Sequence, residues 1–475
     1  MPKLRRFRTV SLARPLAART LWLGGILAAC CAAALPAAET KKILLLTYSE
    51  TFQHPCVKGE GGGPSLVERT LTELGKKGGF DVTATSDASR LSPEFLASFD
   101  GLFFYTQGDL DKVGIDKGAM KSQDRKLICD FVRSGKGFVA THSGGDTFHQ
   151  WFDGPEMKEK PYVDMLGAEF TVHGPQQVAR VTVLDKSFPA CSHLPTSFEL
   201  NDEWYQYHNF SDEIHVLMML ETAGMKGEMY QRPSYPITWC RTYGKGRVFY
   251  TGMGHRDDVW TNPMYQTMIV QGVLWSLGGV AGEAPANYRE VNAKARMPEG
   301  FTRLFDGSSL DGWKSPQGAA FELKNGAITA VGGGKTGDFF YASKKLKDFE
   351  LGVEWLVGDR SFNSGVWVRS PELFEKEEDM LPRAFEVQIQ DNRDDQHRTG
   401  AIYGLAPSTS LPSRAAGQWN EFRIRCVGNK VTVFLNDAPV TSFEAKDERA
   451  REGYVALQNH GDTVAFRNIW LRPLE

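Results

Sequence analysis

The chain has 475 residues, with 55 Lys+Arg against 58 Asp+Glu and a formal net charge of -3. Its 41% hydrophobic and 11% aromatic content is enough for packed cores, which excludes a disordered chain or a coiled coil. The near-neutral balance excludes a strongly basic nucleic-acid binder, and the length predicts about two to four domains.

Residues 1–38 carry Lys3, Arg5, Arg6, Arg8, Arg14 and Arg19 and no acidic residue, followed by the apolar run Leu21–Ala34. A basic start, a short apolar stretch and small residues around Ala32–Ala34 and Ala37–Ala38 are the pattern of a secretory signal peptide. The run is shorter than the roughly 18 residues a spanning helix requires. Leu27-Ala28-Ala29-Cys30 also fits a lipoprotein box, which would place a lipid anchor at Cys30. Without this leader the chain has 49 basic and 58 acidic residues, a net of -9. The expected protein is therefore acidic and exported, periplasmic or secreted, with no transmembrane span and no nucleic-acid partner. Five scattered cysteines remain (Cys56, Cys129, Cys191, Cys240, Cys426). They are expected to be mostly buried small apolar residues, with room for one disulfide.

From residue 39 to 279 apolar strands alternate with helical patterns. Ile43–Leu46, Phe80–Thr85, Leu102–Tyr105 and Gly137–Ala140 are predicted strands. Ser65-Leu66-Val67-Glu68 is a capping box opening a helix to about Lys77. Lys121–Ser134 and Met264–Leu277 are further helices, and Val178–Leu184, Val216–Leu220, Pro236–Arg241 and Arg247–Gly252 further strands. This alternation predicts a mostly parallel sheet covered on both faces. Residues 280–300, with Gly282, Pro285 and Pro298, have the composition of a linker. Residues 301–475 change rhythm to short strands with period-two alternation and turns at Asn325-Gly326 and Asn436-Asp437, the pattern of an antiparallel β-sandwich.

Candidate chemistry gathers at two places. In an open parallel sheet the site lies beyond the C-terminal strand ends. There stand His54, His142 and Asp146, and His255, with His173 and Glu203 in long connections. His54, His142, His173 and His255 together could ligate a metal. In the sandwich, one face of Phe385–Gln390 carries Glu386, Gln388 and Gln390. Gly365, Trp367 and Arg369 share a face of their strand, and so do Ala456, Gln458 and His460. Amide, guanidinium, indole and imidazole groups suit hydroxylated sugars, whereas a solvated sheet face would carry Lys, Glu, Ser and Thr.

The sandwich resembles the 3-keto-disaccharide hydrolase domain, which has a concanavalin/LamG-like jelly-roll fold. The matching motifs are Leu304-Phe305-Asp306-Gly307 with Leu310-Asp311-Gly312-Trp313, Asn363-Ser364-Gly365-Val366, Phe385–Ile389 with Asp391-Asn392, Thr399–Gly404, Gly417–Asn420, and Leu457–Gly461 ahead of Phe466–Ile469. The resemblance implies cleavage of glycosides oxidised to a ketone at C3, with an oligosaccharide or keto sugar as substrate. A C3 ketone acidifies the C2 proton; a base removes it, the C1 substituent departs, and water adds. Glu386 or His460 would be the base and Arg369 the electrophilic stabiliser. Asn363, Trp367, Gln388, Asp391 and Gln458 would contact hydroxyls, and a divalent metal could polarise the ketone. The rival expectation is a carbohydrate-binding sandwich without catalysis.

The first domain resembles the ThuA-like (trehalose utilisation) family, with a flavodoxin-like, class I glutamine-amidotransferase-like fold. The matching pieces are Thr141-His142-Ser143 through Asp146-Thr147-Phe148 and Trp151, Leu166-Gly167-Ala168, Asp202–Tyr205, and Gly246–Tyr250 through Gly254-His255. His142 stands where an amidotransferase carries its nucleophilic cysteine, so covalent amide hydrolysis is not expected. Ser143 is the remaining nucleophile candidate. The family's role implies that this domain acts on, or binds, a related sugar.

Overall fold

A computed structural model describes residues 39–475, apart from 60, 122–124, 149–159, 231, 296–299, 306, 317–320, 332–337, 360–361, 447–448, 450, 462–463 and 475. The leader with Cys30, together with Trp151 and Asp306, lies outside the described residues.

In the first domain the strands Phe80–Thr85, Lys41–Leu46, Gly101–Phe104, Gly137–Thr141 and Gly246–Thr251 lie side by side and parallel. The inner ones, such as Gly101–Phe104 and Gly137–Thr141, are buried runs of the kind a doubly covered sheet demands, whereas the edge strand Phe80–Thr85 buries only Phe80. The sheet then continues through Tyr235–Tyr243, His215–Glu221, Gln177–Val183 and Ser197–Asp202, all antiparallel. The expected mostly parallel sheet is thus a mixed nine-stranded one. Hairpin connections such as Tyr243-Gly244-Lys245-Gly246 are too short for a crossover, and that enforces the antiparallel half.

Helices Leu66–Gly78 and Pro263–Ser276 pack together, as do Lys126–Arg133 and Pro161–Leu166. The capping box forms as its residues require: Ser65 N–H donates to Glu68 Oε2 at 2.6 Å, and Glu68 N–H to Ser65 Oγ at 3.3 Å. Gly79 closes the helix at φ +80°, where a glycine carries no steric cost. A two-stranded ladder, Glu169–His173 with Tyr205–His208, stands beside the sheet.

The linker stretch contains a helix, Tyr288–Ala295. Tyr288 is buried and stacks on Phe210 with ring centroids 5.2 Å apart, so the segment is tied to the first domain. All five cysteines outside the leader are buried and unpaired.

The second domain is all-antiparallel: a five-stranded sheet (Trp313–Lys314, Asp338–Ala342, Tyr454–Asn459, Ser364–Ser370, Phe385–Ile389) faces an eight-stranded one. Alternation does the sorting. Val366, Val368, Phe385, Val387, Ile389, Val455 and Leu457 enter the core between the sheets. Trp367, Phe339, Tyr341 and Ala456 face the other way and form a second apolar cluster with Met380 and Ala384. The outer face is therefore covered by the segment around the helix Glu377–Met380, not by solvent.

The domains touch through a hairpin tip. Asn436 and Asp437 both have positive φ (+48° and +72°), the requirement of a tight two-residue hairpin turn. Asp437 pairs with Arg232 at 2.8 Å, both side chains buried, and its carbonyl accepts from Gln206 Nε2 at 2.6 Å. Among the described residues no helix is long and apolar enough to cross a membrane.

Candidate functional site

The histidines of the first domain converge. His54 follows the strand Lys41–Leu46, His142 follows Gly137–Thr141, and His255 follows Gly246–Thr251. Parallel neighbours end at one edge, so their following residues meet. Glu203 arrives from the short turn between Ser197–Asp202 and Tyr205–His208. His255 Nδ1 lies 3.1 Å from His142 Nε2 and 3.2 Å from Glu203 Oε2, and His142 Nε2 lies 3.5 Å from the same oxygen. The His54 ring is 5.0 Å from both other imidazoles. All four residues are buried.

Neighbouring groups fix their orientation. His142 Nδ1 is 3.2 Å from the Gly252 carbonyl, which can only accept, so that nitrogen carries a proton and Nε2 is the atom turned toward Glu203. His142 itself sits at φ +45°, a strained conformation for a non-glycine residue at a strand end. Asp202 accepts from the backbone N–H of Gly254 (2.7 Å) and His255 (3.1 Å) and so pins the His255 loop. His255 Nε2 meets the Gln176 amide at 2.9 Å.

Burial works to raise the Glu203 pKa. Hydrogen bonds from His142 and His255 outweigh it and hold the carboxyl well below its usual range. Burial, and then the neighbouring His142 and His255, keeps His54 well below the usual imidazole value.

The expected metal set differs from this cluster at one position. His54, His142 and His255 are joined by Glu203, and His173 stands further out. His173 is exposed, its Nδ1 3.3 Å from the other carboxylate oxygen, Glu203 Oε1. Asp146 is not in the cluster; it accepts from Gln107 Nε2 at 3.0 Å. Ser143 is fully buried, and its Oγ has no hydrogen-bond partner among the described residues. His142 Nε2 faces His255 and Glu203, and among the described residues no base lies within hydrogen-bond reach of that hydroxyl.

In the sandwich the register brings part of the expected set together. Trp367 pairs with Glu386 on one side and Ala456 on the other, and Gly365 pairs with Gln388. Glu386, Trp367 and Gln458 are all buried. Glu386 Oε2, Trp367 Nε1 and both amide atoms of Gln458 lack hydrogen-bond partners among the described residues. Several orphaned polar groups on one sheet face are unusual, because each costs about 1–3 kcal/mol. Desolvation, reinforced by Glu377, raises the Glu386 pKa well above its ordinary value and so favours the neutral form of this carboxyl.

Gly365 makes the close approach possible: a Cβ there would meet Glu386 Oε1 at 2.5 Å and Gln458 Oε1 at 3.1 Å. Beyond the strand end, His460 Nε2 lies 3.2 Å from Glu377 Oε2. Gln388 donates to Asn363 Oδ1 at 3.1 Å.

Two expected members lie elsewhere. Arg369 is the bulged residue of its strand, at φ +60°. Its guanidinium is used up by the Lys347 and Gly428 carbonyls and Asp348; the bulge turns it away from the Trp367 face. Asp391 accepts from Thr399 Oγ1 (2.6 Å) and Ser413 Oγ (2.7 Å) and holds a loop. Glu377, in contrast, was not among the expected residues. It lies in the run Glu375–Asp379, which has the composition of a solvated surface segment.

The fold and these clusters define a two-domain protein: a mixed α/β domain with a histidine–carboxylate centre, then a β-sandwich with a polar site under a short helix. Family profiles place the particular domains. The ThuA family (trehalose utilisation) matches residues 46–276, and the 3-keto-alpha-glucoside-1,2-lyase-like domain matches residues 300–472, so the chain carries the two in tandem. A curated relative, the 3-keto-disaccharide hydrolase of Bacteroides thetaiotaomicron, is 25% identical over 232 residues, covering 37% of this chain and 79% of its own. Among solved structures, a provisionally assigned glycosyl hydrolase from Parabacteroides distasonis is 26% identical (TM-score 0.32) over 37% of this chain and 99% of its own. A ThuA-like protein from Bacteroides uniformis is 20% identical (TM-score 0.37) over 51% of this chain and 95% of its own.

Proposed function

We propose that the protein is an exported enzyme that cleaves the glycosidic bond of 3-keto-glycosides on the sandwich face. What carries this is the trio Glu386, Gln458 and Trp367, buried together on one sheet face with Glu386 Oε2 and Trp367 Nε1 unpartnered among the described residues, within a domain matched to the lyase-like family. The basic and apolar leader supports export. The parallel strands and two packed sheets support flavodoxin-like and jelly-roll assignments over 39–279 and 301–475, with the linker 280–300 between them.

The chemistry follows from the two ionisable groups. His460, held by the Glu377 carboxylate through Nε2, takes the C2 proton on Nδ1. The electron pair moves into the C2–C3 bond, and the C3 oxygen becomes an enolate. Neutral Glu386 donates a hydrogen bond to that oxygen, in a dry setting where such a bond is strongest. The enolate then re-forms the C3 ketone as the C1–O bond breaks, and the departing oxygen takes a proton. Water adds across C1 and C2, so the net reaction is hydrolysis. Gln458 and the Trp367 N–H hold sugar hydroxyls. This assignment gives Glu386 the stabilising role expected of Arg369, and His460 the role of base.

The test uses the full chain with a 3-keto-disaccharide in D₂O, following sugar release and deuterium at C2. Release with C2 deuteration is expected. Binding without release would establish the non-catalytic rival, and release without C2 deuteration would overturn the elimination.

A further inference from the structure

The histidine–carboxylate centre of the first domain has the composition and spacing of a metal site. We propose that His54 together with His142 Nε2, His255 Nδ1 and Glu203 Oε2 binds a divalent transition-metal ion of the zinc, cobalt or manganese kind. This rests on the α/β domain alone and stands whether or not the sandwich cleaves keto sugars.

Three observations carry it. First, distance. Bonds of about 2.0–2.1 Å place neighbouring donors of a tetrahedral ion about 3.4 Å apart. The triangle of His142, His255 and Glu203 donors has sides of 3.1, 3.2 and 3.5 Å. His54 supplies a fourth donor, with all four atoms within 4.8 Å of one another. Second, donor type. Three imidazoles and one carboxylate favour borderline metals over magnesium or calcium, which take oxygen donors. Third, the outer contacts are those a bound metal requires. The Gly252 carbonyl sets the His142 tautomer, leaving Nε2 as a donor. His173 holds Glu203 Oε1, which leaves Oε2 for the ion.

The experiment uses the full-length protein, stripped with EDTA and titrated with Co²⁺ as a spectroscopic probe, then with Zn²⁺ in competition. Visible d–d bands should saturate at one equivalent per chain and vanish as Zn²⁺ displaces the probe. Glu203→Gln and His255→Ala should each weaken Co²⁺ binding by about 100-fold or more, and His173→Ala by about 10-fold, as for an outer contact. Glu386→Gln, in the other domain, should bind as wild type. Far-UV circular dichroism identifies any variant that fails to fold, and the second ligand variant then stands in for it. Absence of saturable bands in the folded wild type would overturn the proposal. So would wild-type affinity in a folded Glu203→Gln or His255→Ala protein.

Discussion

Two buried glutamates, Glu203 and Glu386, are the same side chain put to opposite uses. Burial penalises the charge of both. Glu203 is met by hydrogen bonds from His142 and His255, which hold its carboxyl well below the usual range, with His173 beside its other oxygen. Glu386 has no cation beside it, only Gln458 and the repulsive Glu377, and stays neutral. What differs is the partner that the backbone delivers. Converging parallel strands bring imidazoles to Glu203, whereas alternation on an antiparallel sheet brings an amide and an indole to Glu386. Desolvation alone does not decide the ionisation state; the neighbours do.

The largest effect that separates the two regions is catalytic. His460→Ala should lower release of sugar from a 3-keto-disaccharide by about 10²–10⁴-fold, while leaving Co²⁺ titration of the first domain unchanged. If Glu386→Gln is instead the more damaging variant and His460→Ala keeps its rate, the two residues exchange roles.

The next prediction concerns how separate the regions are. Asp437→Ala leaves Arg232 buried and unpaired, which should cost about 3–5 kcal/mol. Calorimetry should show the loss in the transition of the first domain as well as the second. A loss confined to the sandwich would mean the hairpin contact couples nothing.

Gly365→Ala should cost about 1–3 kcal/mol and reduce activity, because the new methyl displaces the Glu386 carboxyl. Thermal melting together with the rate assay checks it.

The last effect is pH-dependent. A carboxyl raised in the folded state favours folding below its ordinary pKa, and that contribution disappears as pH climbs toward the folded value. Glu386→Gln should therefore gain stability relative to wild type as pH rises from about 4.5, by up to about 1.4 kcal/mol per pH unit. Parallel melting curves would sink the neutral-acid assignment.

Much of this was legible from residues alone. The capping box at Ser65–Glu68 and the histidines past strand ends follow from local rules, and so does the apolar/polar alternation around Glu386. The metal-ligand set was less so. Glu203 sits in a connection whose path depends on an antiparallel ladder, and nothing local assigns its oxygen to His142 rather than to solvent. Arg369 misled because strict alternation puts it beside Trp367. One bulged residue breaks that parity and sends the guanidinium to backbone carbonyls. Glu377 was hidden because an acidic run has the same composition whether it is solvated or folded over a sheet. The mixed sheet was missed for a similar reason: apolar runs record burial, not direction.

The Asn436–Asp437 turn has a consequence for how the chain is made. Its partner Gln206 lies 231 residues earlier, so the first domain leaves the ribosome long before Asp437 exists. Until the hairpin Lys430–Leu435 and Ala438–Glu444 closes, the Arg232 guanidinium and the Gln206 amide lack the carboxylate and carbonyl that meet them in the full chain. The first domain is thus finished last, by the final hundred residues of the chain, and a truncated product carries a built-in mark of its incompleteness.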